Sequence, residues 1–238
     1  MKGIIDVHTH ILPGIDDGAK NWDVCLDMIN QSWDFGVRKI IATPHYLPWK
    51  KRISCEKIRS LCQEAEERFQ QEWGRTMKIY PGSELYYHTD LLDKLDKGKV
   101  LTLADSRYIL VEFRTDISYR ELYQGMSHLM AAQYQPILAH VERYGCLRQQ
   151  KRLEELKTTG VLLQMNQGAF QKSFLDETRK WSRYQLLEGM IDFVASDMHN
   201  MKKRPPLSEK KMRWLYKNLS KRDLELLLKR KAKEICRH

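Results

Sequence analysis

Five histidines and four carboxylates in this chain are of types that together do metal chemistry: His8, His10, His45, His140 and His199, with Asp17, Glu84, Glu112 and Asp197. They are nitrogen and oxygen donors with no thiolate among them. That set suits Mn, Fe or Zn in a reactive centre and argues against a cysteine-held structural zinc. His8 and His10 end an apolar run, Ile4-Ile5-Asp6-Val7. On a strand, alternate side chains share a face, so both imidazoles point the same way. Pro13-Gly14 and Asp16-Asp17-Gly18 then mark a loop rich in carboxylates. Nine donors exceed the needs of one ion. At about four to six donors per ion, with waters and bridging carboxylates, they imply two or three ions.

Three divalent ions against four carboxylates leave a positive site, even with a bridging hydroxide. Such a site favours an anionic substrate, above all a phosphate ester. Metal-activated water attacks phosphorus in line while neighbouring ions hold the other oxygens. Arg143 follows His140 by three residues, and Arg204 follows His199 by five. Each alone reads equally well as a solvated surface residue. Their closeness to candidate ligands favours a planar, charge-assisted clamp on phosphate oxygens.

Strands must position these groups. Apolar periodicity and turn residues predict strands at 2–8, 37–43, 77–80, 108–113, 136–139, 161–165 and 191–196. Helices are predicted at 21–35, 54–73, 90–97, 118–134, 150–158 and 176–188, with Ser54 as an N-cap and Gly36, Gly74 and Gly160 as stops. Seven strand–helix units predict a parallel sheet with right-handed crossovers. The donors sit at the C-terminal ends of six of the seven strands. An open sheet gathers ligands only at its switch point, whereas a closed ring gathers them from all strands at one face. The expected fold is α/β, a distorted TIM-like (β/α)7 barrel with its site at the C-terminal strand ends. Residues 1–238 form one domain with a basic helical segment from about 207.

Composition narrows the class. The chain has 238 residues, 42% hydrophobic and 30% charged, as in an ordered globular protein. No run approaches the ~18 apolar residues of a membrane span, and the start lacks a signal peptide's apolar core and cleavage site. A cytoplasmic protein is expected. Five scattered cysteines without a Cys-x-x-Cys pair suggest reduced thiols. Two Cys-x5-Arg spacings, Cys62 to Arg68 and Cys146 to Arg152, raise cysteine-based phosphoryl transfer. The first carries three glutamates in a predicted helix and the second has no glycine to wrap phosphate, so both are disfavoured. Residues 200–238 hold 14 Lys/Arg and 4 Asp/Glu, which accounts for the whole net charge of +10. The neutral body argues against nucleic acid as a partner. The tail reads either as a helix pair packed through Leu215, Leu219, Leu224, Leu227 and Leu228, or as a contact for acidic partners or a membrane face.

Five blocks also resemble a known family: Asp6-Val7-His8-Thr9-His10 through Asp16-Asp17-Gly18, Ala42-Thr43-Pro44-His45, Pro81-Gly82-Ser83-Glu84, Ala139-His140-Val141-Glu142-Arg143-Tyr144, and Ala195-Ser196-Asp197-Met198-His199-Asn200 with Arg204-Pro205-Pro206. In order and spacing they are similar to bacterial capsule-type tyrosine phosphatases of the polymerase-and-histidinol-phosphatase (PHP) superfamily. The resemblance implies a protein-tyrosine phosphatase with three divalent ions, favouring Mn, with Fe, Zn or Mg as alternatives. It implies His8, His10, Glu84 and Asp197 on one ion, Glu84, Glu112 and His140 on a second, and Asp17, His45 and His199 on the third. Asp17 fits better than Asp16, which stays open. Arg143 and Arg204 fall on phosphate-binding positions. The implied substrate is the tyrosine-rich tail of a membrane-associated autokinase that controls polysaccharide export. Asp6 is either a partner of a ligating histidine or a carboxylate that fixes a loop. Tyr46, Trp49, Lys50, Lys51 and Arg52 form either an aromatic, basic docking loop or a structural one. A histidinol-phosphate phosphatase and a non-catalytic regulatory barrel are the alternatives.

Overall fold

The computed structural model describes residues 1–149, 151–171 and 176–237. Strand β1 (Ile4–Thr9) leads through α1 (Trp22–Phe35) to β2 (Val37–Ala42) and β3 (His45–Tyr46). Helix α2 (Cys55–Trp73) then leads to β4 (Lys78–Pro81) and β5 (Glu84–Tyr86), and α3 (Leu91–Asp96) to β6 (Tyr108–Glu112). Four further elements alternate: α4 (Tyr119–Ala131), β7 (Gln135–Leu138), α5 (Arg152–Thr158) and β8 (Leu162–Asn166). Helix α6 (Glu177–Leu187) and β9 (Phe193–Ala195) complete the alternation. Gln150, the expected start of α5, lies outside the described residues.

Local sequence explains the helix boundaries. The side chains of Asn21 and Ser54 accept backbone N–H groups of the first turns of α1 and α2. Ser118 and Glu121 form a reciprocal capping box on α4. Gly36 ends α1 in the left-handed region at φ 114°, where a side chain would be strained.

Among the described residues, nine strand segments stand where seven strands were expected, because the second and third are each broken. All pairings are parallel, in two sheets of order β1-β2-β4 and β3-β5-β6-β7-β8-β9. The first break falls at Thr43-Pro44 and the second at Gly82-Ser83. Pro44 has no N–H for the ladder. A Cβ on Gly82 would press on Ile41, Leu103 and the Ala42 carbonyl at 3.0–3.3 Å. Two bonds carry the pairing across: Thr43 N–H to the Thr9 carbonyl at 2.8 Å and Glu84 N–H to the Pro44 carbonyl at 3.1 Å. At the other edge, the backbone after β9 returns to β1. Asp197 N–H donates to the His8 carbonyl at 3.0 Å and His10 N–H to the Met198 carbonyl at 2.9 Å.

The core has two parts. Apolar side chains of the helices pack on the outer faces of the strands. A second cluster (Ile5, Val7, Ile41, Leu110, Ile137, Phe193) lies inside the strand wall. The C-terminal segment, α7 (Glu209–Asn218), α8 (Lys221–Glu225), a π turn at Leu226–Arg230 and α9 (Lys231–Ile235), reaches this inner cluster. Ala232, Ile235 and Cys236 are buried in it. Tyr108, the first residue of β6, donates to Glu234, and Lys231 pairs with Asp192 just before β9. The last helix therefore seals the N-terminal end of the strands and leaves the C-terminal ends open. No helix among the described residues is long and apolar enough to cross a membrane.

Candidate metal centre

All nine expected donors converge at the open end. His8 Nε2 lies 3.1 Å from Glu84 Oε2 and 3.5 Å from Asp197 Oδ1. His10 Nε2 lies 3.2 and 3.5 Å from the same two oxygens. His140 Nε2 is 2.9 Å from Glu84 Oε1 and 3.5 Å from Glu112 Oε2. His45 and His199 turn Nε2 toward Asp17 Oδ1 at 3.4 and 3.3 Å. His45 Nδ1 also lies 3.1 Å from both Glu84 Oε2 and Glu112 Oε1, so His45 joins two groups where the family resemblance implied one. Three sets have donor atoms within 4.8 Å of one another: His8, His10 and Glu84; His45, Glu84 and Glu112; and His10, Asp17, His45 and His199. Glu84 touches the first two sets and is their bridge.

The donor set fits cations. Glu84 Oε2 and His199 Nε2 are buried with no aligned hydrogen-bond partner, a costly arrangement unless a cation faces them. The rear nitrogens of three of the imidazoles, by contrast, are occupied, while that of His140 has no hydrogen-bond partner. His8 Nδ1 meets Gln164 Oε1 at 3.0 Å, His10 Nδ1 meets Asp16 Oδ2 at 2.7 Å, and His199 Nδ1 meets the Asp197 carbonyl at 2.9 Å. A ring that donates through Nδ1 carries its lone pair on Nε2, which in each case points into the cluster.

Asp16 and Asp17 therefore part company. Asp16 accepts from His10 and from the Gly18 N–H at 2.9 Å, while Asp17 faces His45 and His199. Gly18 is required by this turn, because a Cβ there would lie 2.0 Å from the His10 carbonyl oxygen. Asp6 touches no imidazole through its carboxylate. It accepts the Ser196 N–H at 3.1 Å and ties β1 to the segment after β9. Burial raises its pKa to about 6.

Two residues absent from the sequence expectation complete the support, both on β8. The Gln164 carbonyl oxygen also accepts the His140 N–H at 2.8 Å. Its amide donates to Asn166 Oδ1, and Asn166 donates to Asp197 Oδ2, each at 2.8 Å. The signal was present: Gln164 and Asn166 are polar, two apart, in a run of Leu and Met. His140 and Asp197 sit at φ 36° and 50°, left-handed conformations that side chains rarely adopt outside constrained sites.

The electrostatics follow from the packing. Burial opposes the charge on His10, but Asp16 and Glu84 outweigh it and raise the pKa to about 9. His45 goes to about 11 and His140 to about 9 for the same reason, with Asp17, Glu112 and Glu84 as partners. Against the pull of burial, the neighbouring histidines hold Glu84 well below the carboxylate range and Asp197 at about 2. The carboxylates are thus anionic at neutral pH, as ligands must be. Cys62, on α2, is buried and its thiol pKa is pushed up, the opposite of what a nucleophile needs.

Both arginines reach the cluster. Arg143 Nη2 donates to Asp197 Oδ2 at 2.5 Å, and Arg204 Nη2 to Asp17 Oδ2 at 2.8 Å. They line a cleft of about 510 Å³ with Arg148, Asn166, Lys203 and Lys211. On the other flank, a small pocket joins Asp17 and His45 to Lys50, Lys51 and Arg52. Trp49, 64% exposed, stands edge-on to Tyr86 with ring centroids 4.7 Å apart.

Comparison with known proteins bears on the family and the fold. The chain is 36% identical over 209 residues to the tyrosine-protein phosphatase CpsB of Streptococcus pneumoniae, covering 85% of this chain and 86% of the relative. It is similar to a solved structure from work on YwqE of Bacillus subtilis and CpsB of S. pneumoniae, described as metal-dependent tyrosine phosphatases. The TM-score is 0.88 at 30% identity, over 98% of this chain and 94% of the other. The zinc-containing histidinol phosphate phosphatase of Lactococcus lactis shares the fold alone, with a TM-score of 0.57 at 17% identity over 91% and 94% of the two chains. The model of the capsular polysaccharide synthesis family CpsB/CapC matches residues 4–237, and the chain belongs to that family.

Proposed function

We propose that this chain is a metal-dependent protein-tyrosine phosphatase that uses three divalent ions, preferentially manganese. The carrying observation is the convergence of nine anionic or imidazole donors with two arginines at one open strand end. We read the nine strand segments as seven arms of a distorted (β/α)7 barrel, two of them broken. His8, His10, Glu84 and Asp197 would hold one ion, Glu84, Glu112 and His140 a second, and Asp17, His45 and His199 the third. Bound ions would supply Lewis-acid charge and a water acidic enough to ionise near neutral pH.

The protein's own part is orientation and charge. Gln164, Asp16 and the Asp197 carbonyl fix three imidazoles so that their Nε2 atoms face the site. Arg143 and Arg204 bind phosphate oxygens and stabilise the charge that builds on them during transfer. A tyrosine phenolate has a pKa of about 10, so it leaves with less proton assistance than an alkoxide. No dedicated general acid is needed near the cluster. Trp49 and Tyr86 offer an exposed aromatic platform for the substrate segment. Its natural source is a tyrosine-phosphorylated protein of polysaccharide export, a membrane-associated autokinase, met in the cytoplasm.

The test compares phosphotyrosine peptides with histidinol phosphate at equal concentration. The expected result is a kcat/KM at least tenfold higher for the peptides, and a drop on peptides alone for Trp49→Ala. Preference for histidinol phosphate would overturn the assignment to protein substrates.

A further inference from the structure

We infer that Arg148, Lys203 and Lys211 form a second anion subsite, which takes an acidic or phosphorylated side chain near the phosphotyrosine in the same substrate chain. The identity of that substrate rests on the proposed phosphotyrosine activity.

The three cations line the same cleft as Arg143, Arg204 and Asp197, so a group bound there lies beside the reaction centre. At about 510 Å³ the cleft has the size of a ligand site and holds more than one phosphate. Arg143 and Arg204 are paired with Asp197 and Asp17. Arg148, Lys203 and Lys211 have no carboxylate within ion-pair reach among the described residues. The two acids lining the cleft are committed elsewhere. Asp197 belongs to the metal centre, and buried Glu142 receives the Asn166 N–H at 3.4 Å.

Each cation is carried on pinned backbone or held in place. Arg148 donates to the Glu142 carbonyl at 2.8 Å. The Asn200 side chain accepts the N–H groups of Lys202, Lys203 and Arg204 at 2.7–3.3 Å, which folds that loop toward the cleft. Lys211 lies in the first turn of α7, where Ser208 accepts its N–H and Gln171 Nε2 donates to its carbonyl. Lys211 is half-buried, and burial pushes its pKa down with no acid to oppose the shift. An anion in the cleft would relieve that desolvation. Residues 1–199 are neutral overall, so this concentration of positive charge is local.

The test uses the full chain and four substrates: p-nitrophenyl phosphate, a phosphotyrosine peptide with neutral neighbours, the same peptide with Asp/Glu neighbours, and one with a second phosphotyrosine. The wild type should prefer anionic neighbours by about tenfold in kcat/KM, mainly through KM, with a preference that weakens as salt rises. K203A/K211A should erase the preference and leave p-nitrophenyl phosphate within twofold, while K203R/K211R keeps it. The larger of the two anionic gains identifies carboxylate or phosphate as the natural occupant. Equal wild-type rates on neutral and anionic peptides would overturn the subsite, as would an equal loss on p-nitrophenyl phosphate. Anisotropy with fluorescent peptides bearing a non-hydrolysable phosphonate reads the subsite without turnover. If no phosphotyrosine substrate is hydrolysed, the activity assignment fails, and tighter binding of the anionic phosphonate peptide, lost in K203A/K211A, still decides for the subsite. Equal binding decides against it.

Discussion

Gln164 Oε1 accepts from two ligand-bearing residues at once, the ring of His8 at 3.0 Å and the backbone N–H of His140 at 2.8 Å. One amide on β8 therefore sets the direction of the His8 imidazole on β1 and holds the backbone of His140 just after β7. Its own amide nitrogen is fixed in turn by Asn166, which holds Asp197. This chain of contacts links His8, the backbone of His140 and Asp197.

Removing that amide weakens metal binding without removing a ligand. Gln164→Ala should raise the Mn concentration for half-maximal activity by about 10–100-fold, the usual effect of losing a ligand's supporting partner. Activity at saturating Mn should largely return. An unchanged Mn titration would show that His8 is oriented by other contacts.

Neighbouring aspartates should behave differently. Asp17→Asn is expected to lower the bound metal by one ion per chain and to cut kcat at any Mn concentration. Asp16→Asn should keep the ion count at high Mn and only raise the concentration required. Metal analysis beside kinetics checks both, and the reverse pattern would exchange their roles.

Gly18 is a steric requirement. A methyl group there meets the His10 carbonyl at 2.0 Å and its Cβ at 2.6 Å. Gly18→Ala should therefore displace His10, cost about 1–3 kcal/mol of stability in urea unfolding and impair activation by Mn. Gly168→Ala is the control, since nothing lies within 4 Å of its added Cβ.

Metal-stripped protein should lose stability as pH rises. His10 and His140 have pKa values raised to about 9 and His45 to about 11. A histidine raised above its unfolded value contributes stability that is full below about pH 6.5 and lost as pH climbs through its folded pKa. Thermal unfolding of the stripped protein should thus shift downward between pH 7 and 10. Adding Mn at pH 7.5 should release protons, because ligands bind metal deprotonated. A flat stability profile, or no proton release in calorimetry across buffers, would contradict the pairings.

Much of this arrangement was legible in the sequence because ligand chemistry concentrates rare residue types at strand ends. His8, His10, Glu84, His140, Asp197 and His199 each follow or end an apolar run, and all converge. Other features were hidden for physical reasons. Period-two patterning does not register the break at Pro44 or at Gly82, since both flanking segments remain extended. His45 reads as one ligand, yet its two ring nitrogens face different carboxylates. Gln164 does not stand out in the sequence, because an amide carries no charge and ranks low as a ligand. The basic tail masked Ile235 and Ala232, whose burial against Ile5 and Phe193 depends on contacts far along the chain.

The most direct measurement is metal content paired with phosphotyrosine hydrolysis on the same preparation. The account predicts two to three ions per chain after Mn loading, loss of activity in EDTA in step with metal loss, and recovery on Mn addition. Fewer than two ions together with activity that survives the chelator would contradict it.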